Sequence, residues 1–173
     1  MNIYKEFRLE IIKIINNLQT EEILVKDVGL NAVIVEPPRD RSHGELATNA
    51  PMIVAKPSKK APLAIAELIK NALALDKRIS SIKVVKPGFL NITLNPSVWH
   101  EILELAVANG EKFGSSKIGQ GKRINIEYVS ANPTGPLHVG HTRGAVFGDS
   151  LANLLEFLGF DVTREYYIND AGS

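Results

Sequence analysis

His138 and His141, three positions apart with Gly140 between them, are the residues of this sequence whose types and spacing best suit chemistry. Positions three apart on a helix lie on nearly the same side, so both imidazoles can face one ligand and each can donate a hydrogen bond to a phosphate oxygen. Gly140 omits the side chain that would keep a flat base or a phosphate from the backbone. Donors so placed would speed nucleotidyl transfer by stabilising charge that develops on an α-phosphate, an effect of about 3 kcal/mol per donor. A substrate carboxylate can attack, so no protein nucleophile is required. Taken alone, the pair has two other readings: a surface or helix-capping pair, and a metal site. Zinc calls for three or four ligands. The chain has no cysteine, and His43 and His100 are far off in sequence and read as ordinary surface residues, so no metal is expected.

The elements around the pair decide whether it sits at a ligand site. Arg123 to Val129 reads as a strand, Ser130 to Leu137 as a loop, Val139 to Leu158 as a helix closed by Gly159, and Val162 to Ile168 as a second strand. This is one β-α-β unit, which implies parallel strands. The histidines then stand where a strand's carboxyl end meets a helix amino end, the place at which free helix N–H groups and the helix dipole favour an anion. Gly144, Gly148 and Ala152 are spaced to let the helix pack closely on its sheet.

Upstream the pattern differs. Ile3, Phe7, Ile11, Ile14, Ile15 and Leu18 predict an amphipathic helix over 2–18, and Asn31 to Val35 a short strand stopped by Pro37-Pro38. Residues 44–56 show no clear period; a helix is expected there, with Pro51 arguing against it. Pro62 starts another helix, and Ile79 to Leu94 reads as a hairpin turning at Pro87-Gly88. Alternation in its second strand puts Leu90, Ile92 and Leu94 on the core face and Phe89, Asn91 and Thr93 on the other. Asn95 then caps a helix that starts at Pro96 and turns Val98, Ile102, Leu105 and Ala106 inward. Four glycines and two serines between Gly110 and Gly121 have the composition of a linker. The expected domains are therefore 1–114 and 115–173, an α+β domain followed by one β-α-β unit of an α/β domain.

Across 173 residues, 45% are apolar and 23% charged, the balance of an ordinary globular protein. A formal net charge of +1 is too small to attract nucleic acid in general, so any RNA contact must be local and shaped. No apolar run approaches the roughly 20 residues that span a bilayer, and no signal peptide is read, so a soluble, cytoplasmic protein is expected with no membrane partner.

The string Ser130-Ala131-Asn132-Pro133-Thr134-Gly135-Pro136-Leu137-His138-Val139-Gly140-His141 resembles the "HIGH" region of class I aminoacyl-tRNA synthetases, and that of the arginyl-tRNA synthetases in particular. Thr142-Arg143-Gly144-Ala145 and Tyr167-Ile168-Asn169-Asp170-Ala171-Gly172 are similar to the same family. So are Leu46-Ala47-Thr48-Asn49 and Pro87-Gly88-Phe89-Leu90-Asn91, which look like parts of its appended N-terminal domain.

The resemblance implies ATP-dependent activation of arginine and its transfer to tRNA(Arg), with Mg2+ accompanying the ATP. His138, Gly140 and His141 would hold ATP, the two histidines acting in catalysis, and Glu127, Ser130 and Asn132 would contact arginine. A guanidinium demands planar carboxylate or carbonyl partners and an ammonium demands acceptors, chemistry these three residues supply. The family's first domain is understood to touch the tRNA elbow near the D-loop, and the matching positions here are Phe89 and Asn91. The other reading of Phe89 is a ring covered by a neighbouring helix. By this resemblance the expectation is the N-terminal portion of a monomeric enzyme, an α+β appended domain followed by the first β-α-β unit of an α/β, Rossmann-like nucleotide-binding catalytic domain, truncated before the rest of that fold and inactive by itself. The alternatives are a non-catalytic RNA-binding module, a class I synthetase for another amino acid, or a small nucleotidyltransferase.

Overall fold

The computed structural model describes residues 2–26 and 28–168. The chain divides between Leu105 and Ala106 into two compact units.

The first unit begins with helix α1, Ile3–Thr20, whose Ile3, Phe7, Ile11, Ile14 and Ile15 are buried, as the spacing predicts. Asn2 starts it by accepting the Lys5 N–H on its side-chain oxygen at 3.1 Å, satisfying one of the amides a helix leaves open at its first turn. Strands β1 (Val35–Glu36) and β2 (Leu46–Thr48) follow, then helices α2 (Ala50–Ala55) and α3 (Pro62–Leu73), and the hairpin β3 (Ile79–Val85) and β4 (Phe89–Leu94). The four strands form one antiparallel sheet in the order β1-β2-β4-β3. The expected hairpin is therefore present, with a third and fourth strand added beside it. Leu46, Leu90 and Ile92 from the sheet join Phe7, Ile11 and Ile15 of α1 and Ile65 and Ile69 of α3 in one core, each fully buried. Each such side chain contributes about 2 kcal/mol by leaving water.

Three expectations change in detail. Instead of a strand over 31–35, Leu30–Ala32 is a 3-10 turn and only Val35 and Glu36 pair. The reason is side-chain competition for the backbone. Arg8 donates to the carbonyls of Val33 (2.7 Å), Leu30 and Asn31 (both 3.3 Å). Asn49 takes the Ile34 N–H at 2.9 Å and donates to the Ala32 carbonyl at 3.0 Å, so little is left for a ladder. Residues 44–56 are not one helix but β2 and then α2, and Pro51 is tolerated because it stands in the first turn of α2, where no N–H is needed. Asn95 does precede helix α4 (Pro96–Asn109), but its side chain donates to the carbonyls of Lys77 (2.6 Å) and Ile79 (3.3 Å). On α4, Val98 is buried and Ile102 packs on the core, whereas Leu105 is exposed.

The second unit is built on strand β5 (Arg123–Glu127), helix α5 (Val139–Phe157) and strand β6 (Asp161–Glu165). The strands are parallel, with Arg123 opposite Asp161 and Glu127 opposite Glu165, as a β-α-β unit requires. Both are shorter than the sequence predicts. β5 stops because Val129 and Ser130 turn to φ +69° and +38°, a conformation that cannot continue a strand. Close packing of α5 rests on Gly148, where a Cβ would stand 2.3 Å from the Tyr128 side chain, and on buried Ala152. Gly144 takes no part, since a Cβ there would meet nothing within 4 Å.

The glycine-rich stretch is not loose. Ser116 N–H bonds to Phe157 O (3.1 Å), Gly119 N–H to Leu158 O (2.8 Å) and Gly121 N–H to Gly159 O (2.9 Å). These bonds satisfy carbonyls that the end of α5 leaves without helical partners. Glycine is needed at 119 because a Cβ would lie 2.4 Å from the Phe160 nitrogen. Composition that reads as a linker thus reflects close backbone approach. Among the described residues no helix is long and apolar enough to cross a membrane.

Candidate functional site

His138 is the N-cap of α5. Its Nδ1 accepts the Gly140 N–H at 3.1 Å, and in return its own backbone N–H donates to His141 Nδ1 at 3.2 Å. This is a reciprocal capping box made of two imidazoles, and it brings their ring centroids to 4.0 Å with the planes tilted by 39°. A ring nitrogen that accepts a hydrogen bond carries no proton, so each Nε2 carries one and remains a donor. His138 is exposed and His141 partly so. Capping and ligand binding are therefore compatible here: the inner nitrogens hold the helix, and the outer ones stand at the positive end of a 19-residue dipole. Gly140 works differently from the sequence expectation. A Cβ there would lie 2.9 Å from His138 Cε1, so the space is filled by the His138 ring and is not left open for a ligand.

The candidate arginine residues lie along the same strand–loop–helix path. Glu127 ends β5, exposed, with no side-chain partner among the described residues. Its register neighbour Glu165 is held by the Asn125 side-chain amide, so two carboxylates stand at adjacent strand ends. Sequence reasoning missed Glu165 because strand register is invisible in a single β-α-β pattern. Ser130 is half-buried, and its Oγ accepts the Tyr167 N–H at 3.0 Å, which ties the loop to the chain beyond β6. Asn132 is exposed in the loop, where its carbonyl accepts the Thr134 N–H at 2.9 Å. The structure thus joins His138, Gly140 and His141 directly and ties Ser130 to Tyr167. The similarity noted at Asn169-Asp170-Ala171-Gly172 lies outside the described residues.

Side chains also tie β6 to the carboxyl-terminal half of α5. Arg164 on β6 donates to Glu156 (2.9 Å) and to Asn153 (2.6 Å), both on α5. That hydrogen bonding holds the Glu156 carboxyl below its ordinary range and raises the guanidinium's affinity for its proton. Among the described residues no group of three or more His, Cys, Asp or Glu is arranged to hold a metal ion.

In the first unit the candidate RNA residues occupy the sheet face opposite the core. Register puts Glu36, Ala47, Asn91 and Lys83 in one row across the four strands, with Phe89 beside Val85. Directly opposed residues share a face. Phe89 is 36% exposed, so no helix covers it, but Asn91 is only 7% exposed, because β4 lies between two other strands. The expectation of a freely available face therefore holds for Phe89 and is corrected for Asn91, which forms the floor of a cleft. Arg39 and His43 stand on the wall of that cleft, with Pro37 and Pro38. His43, read from sequence as an ordinary surface residue, shares the cleft with Phe89. It comes from a loop far from β4 in sequence, and no local pattern could have shown it.

Comparison with known proteins agrees across the chain. The family described as arginyl tRNA synthetase N terminal domain matches residues 5–94, and that described as tRNA synthetases class I (R), catalytic domain, matches residues 102–173. The arginine–tRNA ligase of Ruegeria sp. (strain TM1040) is 56% identical over 173 residues, which is 100% of this chain and 30% of that protein. That of Jannaschia sp. (strain CCS1) is 54% identical over the same span, again 30% of its length. The chain thus spans about 30% of the length of the curated relatives it matches. The solved Thermus thermophilus arginyl-tRNA synthetase matches with a TM-score of 0.61 and 25% identity, over 95% of this chain and 26% of that one. The Plasmodium falciparum arginyl-tRNA synthetase matches with a TM-score of 0.66 over 99% of this chain and 31% of that one, and at 19% identity the likeness concerns the fold alone. With a family match over more than half its residues, a capped histidine pair at the head of a parallel β-α-β unit and an antiparallel appended domain before it, the chain belongs to the arginyl-tRNA synthetase family.

Proposed function

We propose that this chain supplies the tRNA-binding appended domain, residues 1–114, and the beginning of the catalytic domain, residues 115–173, of an arginine–tRNA ligase working as a monomer in the cytoplasm. In the complete enzyme a carboxylate oxygen of arginine attacks the α-phosphorus of ATP, the bond to the bridging oxygen breaks, and pyrophosphate leaves. A terminal hydroxyl of tRNA(Arg) then attacks the carbonyl carbon of the adenylate and AMP departs.

The observation that carries this reading is the imidazole capping box, which uses both Nδ1 atoms internally and leaves two Nε2–H donors beside a helix amino end. Such donors are set before the ligand arrives, so they stabilise developing phosphate charge without reorganising. His138 and His141 bind and stabilise the reacting phosphate, and Gly140 keeps their geometry by making room for the His138 ring. Glu127 offers to a guanidinium or ammonium a carboxylate that has no side-chain partner among the described residues, and Ser130 and Asn132 supply hydroxyl and amide groups for the same amino acid. Magnesium travels with ATP, whose phosphates supply oxygen ligands, so no cluster of protein carboxylates is needed. Phe89 offers a face for an unpaired tRNA base and Asn91 the amide that reads it.

In the complete synthetase, His141→Ala and His138→Asn should each lower the rate of arginine-dependent pyrophosphate exchange roughly 100-fold, as expected for loss of one transition-state donor. Glu127→Gln should chiefly raise the arginine KM. Unchanged exchange in both histidine variants would overturn the assignment.

A further inference from the structure

The Pro37-Pro38-Arg39 segment separates two clefts of the first unit. One is the Phe89–Asn91 cleft. The other, on the far side of the same ridge, is lined by Tyr4, Arg39, Arg41 and Trp99. Nothing in the proposed reaction uses it. Trp99 is 39% exposed on α4, close to the 36% of Phe89. Among the described residues neither the Arg39 nor the Arg41 guanidinium has an ion-pair or hydrogen-bond partner, and both residues are exposed. Two acids stand near them: Asp40 accepts the Ser42 N–H at 2.9 Å, and Glu45, which lines the cleft, turns one oxygen to the Leu94 N–H at 2.9 Å. The cleft therefore offers two aromatic rings, Tyr4 and Trp99, and two cations without a partner among the described residues, against the single carboxylate of Glu45.

This combination is what unpaired RNA requires, because stacking satisfies the base and cations satisfy the phosphates. An acidic peptide would use the arginines but would gain little from the indole. Arg39 lines both clefts, and the two prolines fix their φ angles, so the ridge between them is stiff. A strand crossing that ridge would have consecutive bases parted, one to each side.

We propose that the Tyr4–Arg39–Arg41–Trp99 cleft is a second nucleotide seat, in which an unpaired tRNA nucleotide neighbouring the one at Phe89 stacks on Trp99 while Arg39 and Arg41 hold the connecting phosphates. The proposal rests on the reading of the first unit as a tRNA-binding domain.

Trp99 is the single tryptophan of the chain, so its emission reports the seat directly. The test titrates the chain with tRNA(Arg), following Trp99 emission and, in parallel, the anisotropy of end-labelled tRNA. Saturable quenching that tracks the anisotropy is expected. Trp99→Ala should weaken binding about tenfold, and Arg39→Ala with Arg41→Ala should weaken it and lower the slope of log K against log salt by about 1.5. Anisotropy that rises while Trp99 emission stays constant, or a Trp99→Ala chain that binds as tightly as the parent, overturns the second seat and leaves the tRNA-binding reading standing. No binding by either method overturns both. If Phe89→Ala binds as the parent does while quenching persists, the Trp99 seat stands and the assignment of Phe89 falls. Quenching by polyglutamate but not by an unpaired oligonucleotide would replace RNA by an acidic peptide and overturn the proposal.

Discussion

At the scale of single residues, the cap and the strained turn make separable predictions. His138→Ala removes the acceptor of the Gly140 amide, and such a loss costs about 1 kcal/mol. Asparagine caps as well as any residue, so His138→Asn should restore that stability without restoring pyrophosphate exchange. Urea denaturation of the chain beside exchange assays of the complete enzyme separates the two roles, and recovery of both by Asn would mean that the imidazole does nothing beyond capping. Val129 is a β-branched residue at φ +69°, where an L side chain costs about 1 to 2 kcal/mol, and glycine gives back part of the relief in backbone entropy. Val129→Gly should thus leave the chain as stable or up to about 1 kcal/mol more so, while raising the arginine KM of the complete enzyme, since Ser130 would lose its fixed pose. A stability loss above about 1 kcal/mol would show that the turn is not strained as described.

At the scale of elements, the turn between α3 and β3 is held by charge. Asp76 accepts the Arg78 backbone N–H at 2.9 Å and two of its guanidinium nitrogens at 2.6 and 3.1 Å. The same guanidinium lies 4.4 Å from the centroid of the Phe7 ring and 3.5 Å from Glu6, both on α1. These hydrogen bonds hold the Asp76 carboxyl below its usual 3.8. Because the folded value is the lower one, the contribution is fully present above about pH 4 and is lost as pH falls through the folded value. Urea midpoints measured between pH 2 and pH 6 should therefore drop at the acid end in the parent chain and drop less in Asp76→Asn. Equal acid sensitivity in both would remove this latch from the account. How far elements were legible depended on who competes for the backbone: α1 and α3 follow from period alone, whereas the strand over 31–35 is lost to Arg8 and Asn49, side chains distant in sequence.

At the scale of the whole chain, burial is uneven. The contiguous apolar core runs from Ile3 to Val98, whereas in the second unit Ala152 is the one buried apolar side chain among the described residues. Val146, Phe147 and Leu154 on α5 are exposed, and a two-stranded sheet is only marginally stable by itself. Native-state hydrogen exchange should therefore show amides of β5, α5 and β6 opening at lower free energy than those of α1, α3 and β4. Equal protection would mean that the histidine pair rests on a frame as firm as the first unit. The chain by itself is expected to bind tRNA and to give no arginine-dependent pyrophosphate exchange. Turnover by the 173 residues alone would overturn that expectation.

By itself the sequence determined the helices with full apolar periods, the hairpin with its two faces, the parallel unit and the position of His138 and His141 at the start of α5. All of these rest on interactions within a few residues or on alternation that one strand carries alone. Tertiary structure decided what depends on distant partners. It set Asn91 at the floor of a cleft, brought Glu165 beside Glu127 and His43 into the cleft that Phe89 lines, and folded the 116–122 glycines against the end of α5. It also gave each imidazole of the pair an inner nitrogen for the helix and an outer one for a ligand. The physical reason is the same throughout: spacing fixes which residues share a face, but only the packed chain fixes which hydrogen-bonding atoms are already satisfied and which remain to bind something else.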